Sequence, residues 1–236
     1  MLLKSRIYSL DPYTEYWHQA KLGKLSSSEI HNVIGDGKGM LSYLYRKVGE
    51  ELTGVPAKNE IQTEATINGH VFEPVALREY MKDNKIEFFV ESKLIQGDND
   101  RFCSTPDGLI IKAQRTDVDG WDVWPVEVKC PLTYEAFISL YLCETPFDIL
   151  KLKKEYFWQL MDQIDNCGSL QGVFIVYHPD FEIKGKRGLY KAINFRIMQD
   201  VGGTFPLKYE LDVLRARKKI ALQKFEEIKT RITTTL

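Results

Sequence analysis

The segment that most constrains the fold of this chain is residues 103–131, which contain two short runs of apolar and β-branched residues. Residues 109–112 and 123–128 both have the composition of β-strands. Between them, residues 117–120 read Asp-Val-Asp-Gly, which favours a turn. Together these features predict a β-hairpin, and we expect the rest of the chain to fold around it.

Three charged residues lie at one end of this hairpin. Side chains alternate between the faces of a strand, so Glu127 and Lys129 project together, away from Val126 and Val128. Asp107 opens the first strand, and the hairpin can bring it beside Glu127. Mg²⁺ binds carboxylates together with phosphate and water, and a lysine can orient the attacking water, so this set suits a divalent-metal phosphodiesterase. The alternative is that Asp107 caps a turn and that Glu127 and Lys129 form a surface ion pair.

The motifs of the chain resemble those of the PD-(D/E)XK nucleases, and most closely the lambda-type exonuclease branch, also called YqaJ-like viral recombinases. The core of the resemblance is Thr-Pro-Asp-Gly-Leu at residues 105–109, followed by Val-Glu-Val-Lys-Cys-Pro at 126–131. Further stretches match in the right order at residues 17–23, 26–34, 69–73 and 156–163. The resemblance spans roughly residues 13–180. It implies a restriction-endonuclease-like α/β fold, in which helices flank a mixed β-sheet.

The resemblance also implies a role for each residue of the core motif. Asp107 and Glu127 would hold Mg²⁺, for which Mn²⁺ can substitute, and the Val128 carbonyl would be a further ligand. Lys129 would position the attacking water.

Two residues outside the hairpin would support this site. Glu73 lies on a helix predicted over residues 66–83, and in the resembling family this glutamate faces the metal. Gln159 lies on a helix predicted over residues 151–166, where the family carries a glutamine that approaches the lysine and the substrate phosphate. Gln163 shares that side of the helix one turn later. Without the resemblance, these residues would be assigned to ordinary polar helix faces.

Residues 13–34 predict two short helices separated at Gly23. The second helix would begin at Ser26 or Ser27, and Glu29 lies three residues after Ser26, as in a capping box.

The same region holds the candidate site for a DNA end, because a helix N-terminus can bind an anion. The resemblance places the terminal 5′-phosphate on Lys21 and Ser28. The family has arginine where this chain has Lys21, and lysine lacks the two-pronged grip of a guanidinium on phosphate.

Hydrophobic periodicity predicts the remaining elements. Additional helices are expected at residues 40–53 and 207–232, and additional strands at 86–96, 172–177 and 189–198. The apolar stripe expected for the first of these helices consists of Leu41, Leu44, Tyr45, Val48 and Leu52. Residues 131–150 lack a regular pattern.

The C-terminal helix is amphipathic, but Lys218 interrupts its apolar stripe within a basic cluster that also contains Arg215, Arg217 and Lys219. The simplest interpretation is a helix docked on the domain with a solvated basic face, while an oligomer contact and a DNA contact stay open. The expected division is a nuclease core at residues 1–203 and a helix at 204–236 packed on the same domain.

Composition limits the other possibilities. The 236 residues carry a formal net charge of -1, so a DNA site has to be a local concentration of lysine and arginine. The four cysteines show no CxxC spacing and indicate reduced thiols rather than disulfides or a zinc site. No signal peptide or membrane-length apolar run occurs, so we expect no membrane association and a cytoplasmic protein, in a bacterial cell or a phage-infected host.

The function implied by the resemblance is a Mg²⁺-dependent exonuclease. It would degrade one strand of duplex DNA from the 5′ end and leave a 3′ single strand for recombination by strand annealing. Its partners would be double-stranded DNA ends and a single-strand annealing protein, and relatives often form a homotrimeric ring. The alternatives are a structure- or site-specific endonuclease of the same fold, or a non-catalytic DNA-binding protein.

Overall fold

The computed structural model of the protein describes residues 6–8, 10, 14–57, 63–115, 120–183, 185–198 and 207–235. Within these residues the helices are α1 (Glu15–Lys21), α2 (His31–Ile34), α3 (Lys38–Thr53), α4 (Glu64–Asp83), α5 (Tyr134–Tyr141), α6 (Pro146–Leu152), α7 (Lys154–Cys167) and α8 (Lys208–Thr235). The strands are β1 (Arg6–Tyr8), β2 (Leu25–Ser26), β3 (Phe89–Glu91), β4 (Leu94–Gln96), β5 (Phe102–Ser104), β6 (Gly108–Arg115), β7 (Gly120–Lys129), β8 (Gln171–Ile183) and β9 (Lys186–Arg196). The predicted α/β class is confirmed.

The larger sheet has the strand order β3-β6-β7-β8-β9 and combines parallel with antiparallel pairs. β6 and β7 form the predicted antiparallel hairpin, with Gly108 opposite Val126. β7 then pairs in parallel with β8, and Glu127 lies opposite Phe174. The mixed sheet is therefore confirmed. Residues 117–119 of the predicted turn lie outside the described part of the chain.

Alternation along the inner strands separates two apolar cores. Val126 and Val128 of β7 pack against α4. Phe174 of the neighbouring β8 enters the larger core, to which α3, α7 and α8 also contribute. Because successive residues face opposite sides, Glu127 and Lys129 lie on the α7 side of the sheet.

A smaller sheet has the order β1-β4-β5-β2. The prediction of one strand over residues 86–96 is wrong, because the chain leaves the larger sheet after β3 and enters the smaller one at β4. All three residues of β4 are buried. The sequence of β4 therefore lacks the alternation of polar and apolar residues that would have marked it as a separate strand. Phe88, just before β3, is 65% exposed although it is apolar.

Residues 131–150 are mostly helical, which corrects the expectation of an irregular stretch. They contain α5 and most of α6, whose N-caps are Thr133 and Thr145. The start of α6 is a capping box between Thr145 and Asp148, with Pro146 in the first turn. This signal is legible in the sequence, but the two helices are too short to show a clear apolar period.

The capping box predicted between Ser26 and Glu29 is not formed. Ser26 belongs to β2, and Ser27–Glu29 is a single 3₁₀ turn before the short α2. The backbone N–H of Ser26 donates to the Tyr43 hydroxyl at 3.1 Å, and the Glu29 carboxylate accepts from Arg46 at 2.5 Å. Tertiary partners therefore replace the local cap. The predicted break at Gly23 is confirmed, since its φ of +68° is a left-handed conformation that favours glycine.

Two helices bury other residues than predicted. In α3, Leu44 and Val48 are buried as expected, but Tyr45 and Leu52 are exposed and Met40 is buried in their place. In α8 the predicted stripe packs into the larger core, but its interruption, Lys218, is itself buried. A fully solvated basic face is therefore wrong for α8. The division at residues 203 and 204 stays a prediction.

All four cysteines are free thiols. Among the described residues, no helix is both long enough and apolar enough to cross a membrane.

Candidate active site

The hairpin holds Asp107 against the edge of β7 through two backbone contacts. The Asp107 N–H donates to the Val126 carbonyl at 3.0 Å, and the Val128 N–H donates to the Asp107 carboxylate at 2.6 Å. A Cβ at Gly108 would lie 2.1 Å from the Phe89 ring, so only glycine lets this ring cross the start of β6. The predicted proximity of Asp107 and the Glu127 segment is present.

Glu127 is 2% exposed, and three donors hold its carboxylate. Lys129 Nζ and Gln159 Nε2 donate to Oε1 at 2.5 and 2.6 Å, and Gln163 Nε2 donates to Oε2 at 2.5 Å. α7 therefore fixes this carboxylate from two successive turns. The sequence pattern showed that both glutamines share a side, but a role was assigned to Gln159 alone. Gln163 is a site residue that sequence reasoning missed.

Lys129 is mostly enclosed, and its ammonium lies 4.9 Å from the centre of the Tyr156 ring. Burial alone would lower the Lys129 pKa, but the carboxylates of Glu127 and Asp107 outweigh burial and hold it above its ordinary value. Lys129 is therefore a fixed positive charge at neutral pH.

Glu73 projects from α4 toward the same place. A Cβ at Gly69, one helical turn earlier, would lie 2.6 Å from Glu73 Oε1, so the missing side chain of Gly69 makes room for this carboxylate. Burial raises the Glu73 pKa to about 7, an effect that Lys129 opposes and Glu127 reinforces. Burial, followed by the charges of Glu127 and Glu73, raises the pKa of Asp107 well above its usual range. The three carboxylates therefore share one site.

The donor atoms of this site fit a divalent cation. A divalent cation bound beside Asp107 and Glu73 would favour their charged forms and so oppose the raised pKa values that their burial causes. Among the described contacts, the Asp107 carboxylate uses one oxygen for the Val128 N–H, and Glu127 Oε2 has a single donor. Lone pairs therefore remain for a metal. Within the described residues no group of three or more His, Cys, Asp or Glu has a ready metal-binding geometry, and Mg²⁺ commonly takes only one or two carboxylates.

A cleft of about 580 Å³ opens beside the site. Its lining includes the carboxylates of Asp107, Glu73 and Glu91, the basic residues Arg78 and Lys93, and the aromatic residue Phe89. A cleft that contains basic and aromatic side chains as well as these carboxylates can hold a nucleic-acid strand.

Lys21 and Ser28 flank β2 in the sequence. Lys21 ends α1, and its ammonium lies 3.6 Å from the centre of the Trp17 ring. Ser28 is exposed on the 3₁₀ turn, with its hydroxyl 3.2 Å from that of Ser26. Parallel pairing of β2 with β5 sets this turn beside the strand that leads to Asp107.

Thr105 is a second residue that sequence reasoning missed. It lies between β5 and Asp107, and its hydroxyl is buried without a hydrogen-bond partner among the described residues. A buried polar group without a partner calls for an explanation, and a ligand oxygen is one. The motif contains Thr105, but only the fold shows that its hydroxyl lacks a partner.

Comparison with known proteins identifies a matching family and several similar structures. A family model described as the YqaJ-like viral recombinase domain matches residues 16–168. The crystal structure of an alkaline exonuclease from Laribacter hongkongensis is similar at 22% identity and a TM-score of 0.63, covering 94% of this chain and 100% of that one. The structure of that exonuclease in complex with dAMP is similar at 23% identity, with the same TM-score and coverage. A phage-related exonuclease from Haemophilus somnus 129PT is similar at 15% identity and a TM-score of 0.58, covering 89% and 96% of the two chains.

At these identities the solved structures show a shared fold. No curated protein matches the chain. The family match supports a DNA nuclease of the lambda exonuclease type, a class that generally uses divalent metal ions. Since the match covers residues 16–168 of 236, the chain belongs to the YqaJ-like viral recombinase family.

Proposed function

We propose that the protein is a Mg²⁺-dependent exonuclease that degrades one strand of duplex DNA from its 5′ end and leaves a 3′ single strand for annealing. The observation that carries this proposal is the convergence of Asp107, Glu127 and Lys129 at one end of the hairpin, with Gln159 and Gln163 holding Glu127. Mn²⁺ would substitute for Mg²⁺, since both accept oxygen ligands.

Asp107, Glu127 and the Val128 carbonyl would hold the metal. When bound, the ion supplies a water of lowered pKa and neutralises charge on the phosphate. Lys129 orients the attacking water and stabilises the negative charge that builds on the phosphate oxygens. Gln159 and Gln163 keep Glu127 in place, so that little reorganisation is needed when DNA enters.

The 5′-phosphate would be bound by Lys21 and Ser28, with the Thr105 hydroxyl as a further donor. This part of the proposal is supported by the exposure of Ser28 and the unpartnered hydroxyl of Thr105. Pairing of β2 with β5 supports it further, because it sets the Ser28 turn beside the strand that precedes Thr105. The cleft beside Asp107 would receive a DNA strand along Arg78. The homotrimeric ring and the annealing protein stay predictions.

A plasmid assay separates this proposal from its alternatives. The protein should leave a covalently closed circle intact and degrade the same plasmid after linearisation, because only the linear form has ends. Cleavage of the circle would favour an endonuclease, and loss of neither form in the presence of Mg²⁺ or Mn²⁺ would favour a non-catalytic DNA-binding protein. A Lys129→Met variant is the control for a contaminating nuclease, since it keeps the length of the side chain and removes its charge.

A further inference from the structure

A second polar cluster adjoins the Glu127 contacts along α7, because Asp162 and Asn166 lie three and seven residues after Gln159 and so share its side of the helix. Its members are buried polar or charged side chains that come from four separate parts of the chain. They are Ser27, Ser104, Asp162, Asn166 and Lys218. None of them belongs to the metal site described above, and burial of so many polar groups has to be compensated by hydrogen bonds.

The hydrogen bonds of the cluster have a defined direction. A carboxylate only accepts, so the Ser27 hydroxyl donates to Asp162 Oδ2 at 2.6 Å. Because this bond uses the single hydroxyl hydrogen of Ser27, the Ser27 oxygen accepts a hydrogen bond from the Ser104 hydroxyl at 2.6 Å. Asn166 Nδ2 in turn donates to Ser104 Oγ at 2.7 Å and to Asp162 Oδ2 at 3.0 Å. The chain of donors therefore ends on the Asp162 carboxylate.

Lys218 closes this network from the C-terminal helix. Its ammonium donates to Asp162 Oδ1, Asp165 Oδ2 and Asn166 Oδ1 at 2.7, 2.8 and 2.8 Å. These three bonds use all three ammonium hydrogens. The residue that interrupts the apolar stripe of α8 is thus the positive charge that balances Asp162.

α7 therefore connects the metal site with the proposed 5′-phosphate site, whose separation has to stay constant during the proposed reaction. Gln159 and Gln163 bond the metal ligand Glu127. Asp162, directly before Gln163 in the chain, bonds Ser27, whose neighbour Ser28 is the exposed residue assigned to the 5′-phosphate. Ser27 is 2% exposed and its hydroxyl is fully used, so it cannot itself contact DNA.

Ser104, the last residue of β5, is placed in a similar way. It is 1% exposed, bonds Ser27, and is followed directly by Thr105 with its unpartnered hydroxyl. The two residues whose hydroxyl groups are assigned to the phosphate, Ser28 and Thr105, are therefore each adjacent in sequence to a member of one buried network.

We propose that Asp162, balanced by Lys218, is a positioning residue that sets the distance between the 5′-phosphate site and the metal site. This inference rests on the proposed function, because it assumes that the DNA end is bound near Ser28. That distance fixes how many nucleotides separate the terminal phosphate from the bond that is cut. It therefore controls the preference for phosphorylated ends and the length of the released product.

The test compares Ser27→Ala with the unmutated protein on one linear duplex carrying either a 5′-phosphate or a 5′-hydroxyl. A hydrogen bond to a charged group is at stake, so the ratio of the two rates should fall by about tenfold or more. Released products should change from one length to a mixture, measured by denaturing electrophoresis or mass spectrometry. Ser104→Ala should have the same effect in a weaker form, because it leaves the bond from Ser27 to Asp162 intact.

Ser169→Ala is the matched control. Ser169 is also a buried serine at the end of α7, where its hydroxyl donates to the Gln171 carbonyl at 2.6 Å, but it has no described contact with the network. It should leave both the rate ratio and the product length unchanged. Thermal unfolding identifies any variant that is not folded at the assay temperature.

A second pair of variants tests the charge balance. Lys218→Met alone leaves Asp162 buried without its cation and should lower the rate ratio and the unfolding temperature together. The double variant Asp162→Asn with Lys218→Met removes both charges, so it should recover much of the unfolding temperature but not the rate ratio.

The outcomes separate the two levels of the argument. An unmutated protein with no preference for a 5′-phosphate contradicts the proposed end recognition, and the inference with it. If the unmutated protein shows the preference, but folded Ser27→Ala and Ser104→Ala keep its ratio and product length, the inference alone is overturned. An equal effect of Ser169→Ala would show general loosening and would also overturn it.

Discussion

At the scale of single residues, the positions of Asp107 and Glu127 were predictable from the sequence, but the side chains that surround them were not. Alternation within a hairpin was enough to predict that they meet Lys129 at one end of the sheet. The burial of Glu127 was not predictable, because it depends on α7 covering the hairpin. The contacts of Gln163 with Glu127, and of Ser27 with Asp162, span 36 and 135 residues, and no local pattern encodes them.

Asp107→Asn should separate catalysis from stability. It removes a metal ligand charge, so cleavage should fall by about a hundredfold or more. The folded-state pKa of Asp107 is raised, so the carboxyl contributes stability at low pH and that stability is lost as pH rises through the raised value. At pH 8 without divalent cations, the variant should therefore unfold at the same temperature as the unmutated protein or higher. A lower unfolding temperature, or near-normal cleavage, would contradict the assignment.

Lys21→Ala should slow degradation of a 5′-phosphorylated end by roughly ten- to a hundredfold, because it removes a charge-assisted contact. It should matter much less on a 5′-hydroxyl end. Lys21→Arg should keep or raise the rate, since a guanidinium can bind two phosphate oxygens. Lys24→Ala, a charge removed three residues later, is the control, and an equal loss on both ends would place Lys21 on the DNA backbone instead.

At the scale of elements, long helices with a clear apolar period were predicted within a few residues. The predictions at 66–83, 151–166 and 207–232 correspond to α4, α7 and α8. The errors occur where tertiary contacts override local pattern, as in the exchange between sheets after β3 and the 3₁₀ turn in place of a capped helix. The short α5 and α6 were missed although their caps are present in the sequence.

Gly69→Ala tests whether α4 is shaped for Glu73. The added methyl would meet the Glu73 carboxylate, so this side chain has to move and the rate should fall by about tenfold. Alanine also favours the helix by about 0.5–1 kcal/mol, so stability should be kept. Gly49→Ala in α3 is the matched control, because a Cβ there meets nothing within 4 Å. It should gain the same helix stability with no loss of rate, and equal rates for both variants would contradict the role of Gly69.

Arg78→Ala tests the cleft as a DNA path. If Arg78 contacts one phosphate, the slope of log affinity against log salt should become shallower by about 1. Binding is measured without divalent cations, so that no cleavage occurs. Lys151→Ala, which removes an exposed charge on α6, should leave the slope unchanged. An unchanged slope in Arg78→Ala would place the DNA elsewhere.

For the whole molecule, a net charge of -1 means that DNA binding depends on where the basic residues lie. Part of the basic cluster on α8 is engaged within the domain, because Arg217 bonds Asp36 and Lys218 is buried. Arg215 bonds Asp165 but stays exposed. The fold class was predictable because one hairpin and its motifs specify it. The packing of α8 was predictable only in outline, since Lys218 looked like a defect in the apolar stripe and is instead the partner of a buried carboxylate.

The central claim is digestion of one strand from a 5′ end, and a directional assay tests it most directly. A linear duplex carries a 5′-phosphate at one end only, the other end is blocked, and each strand bears a different internal label. With Mg²⁺, the strand that begins with the phosphate should disappear progressively from that end while its complement stays full-length, and Glu127→Gln should abolish the reaction. Loss of the complementary strand from its 3′ end, or internal cuts in both strands, would contradict the account.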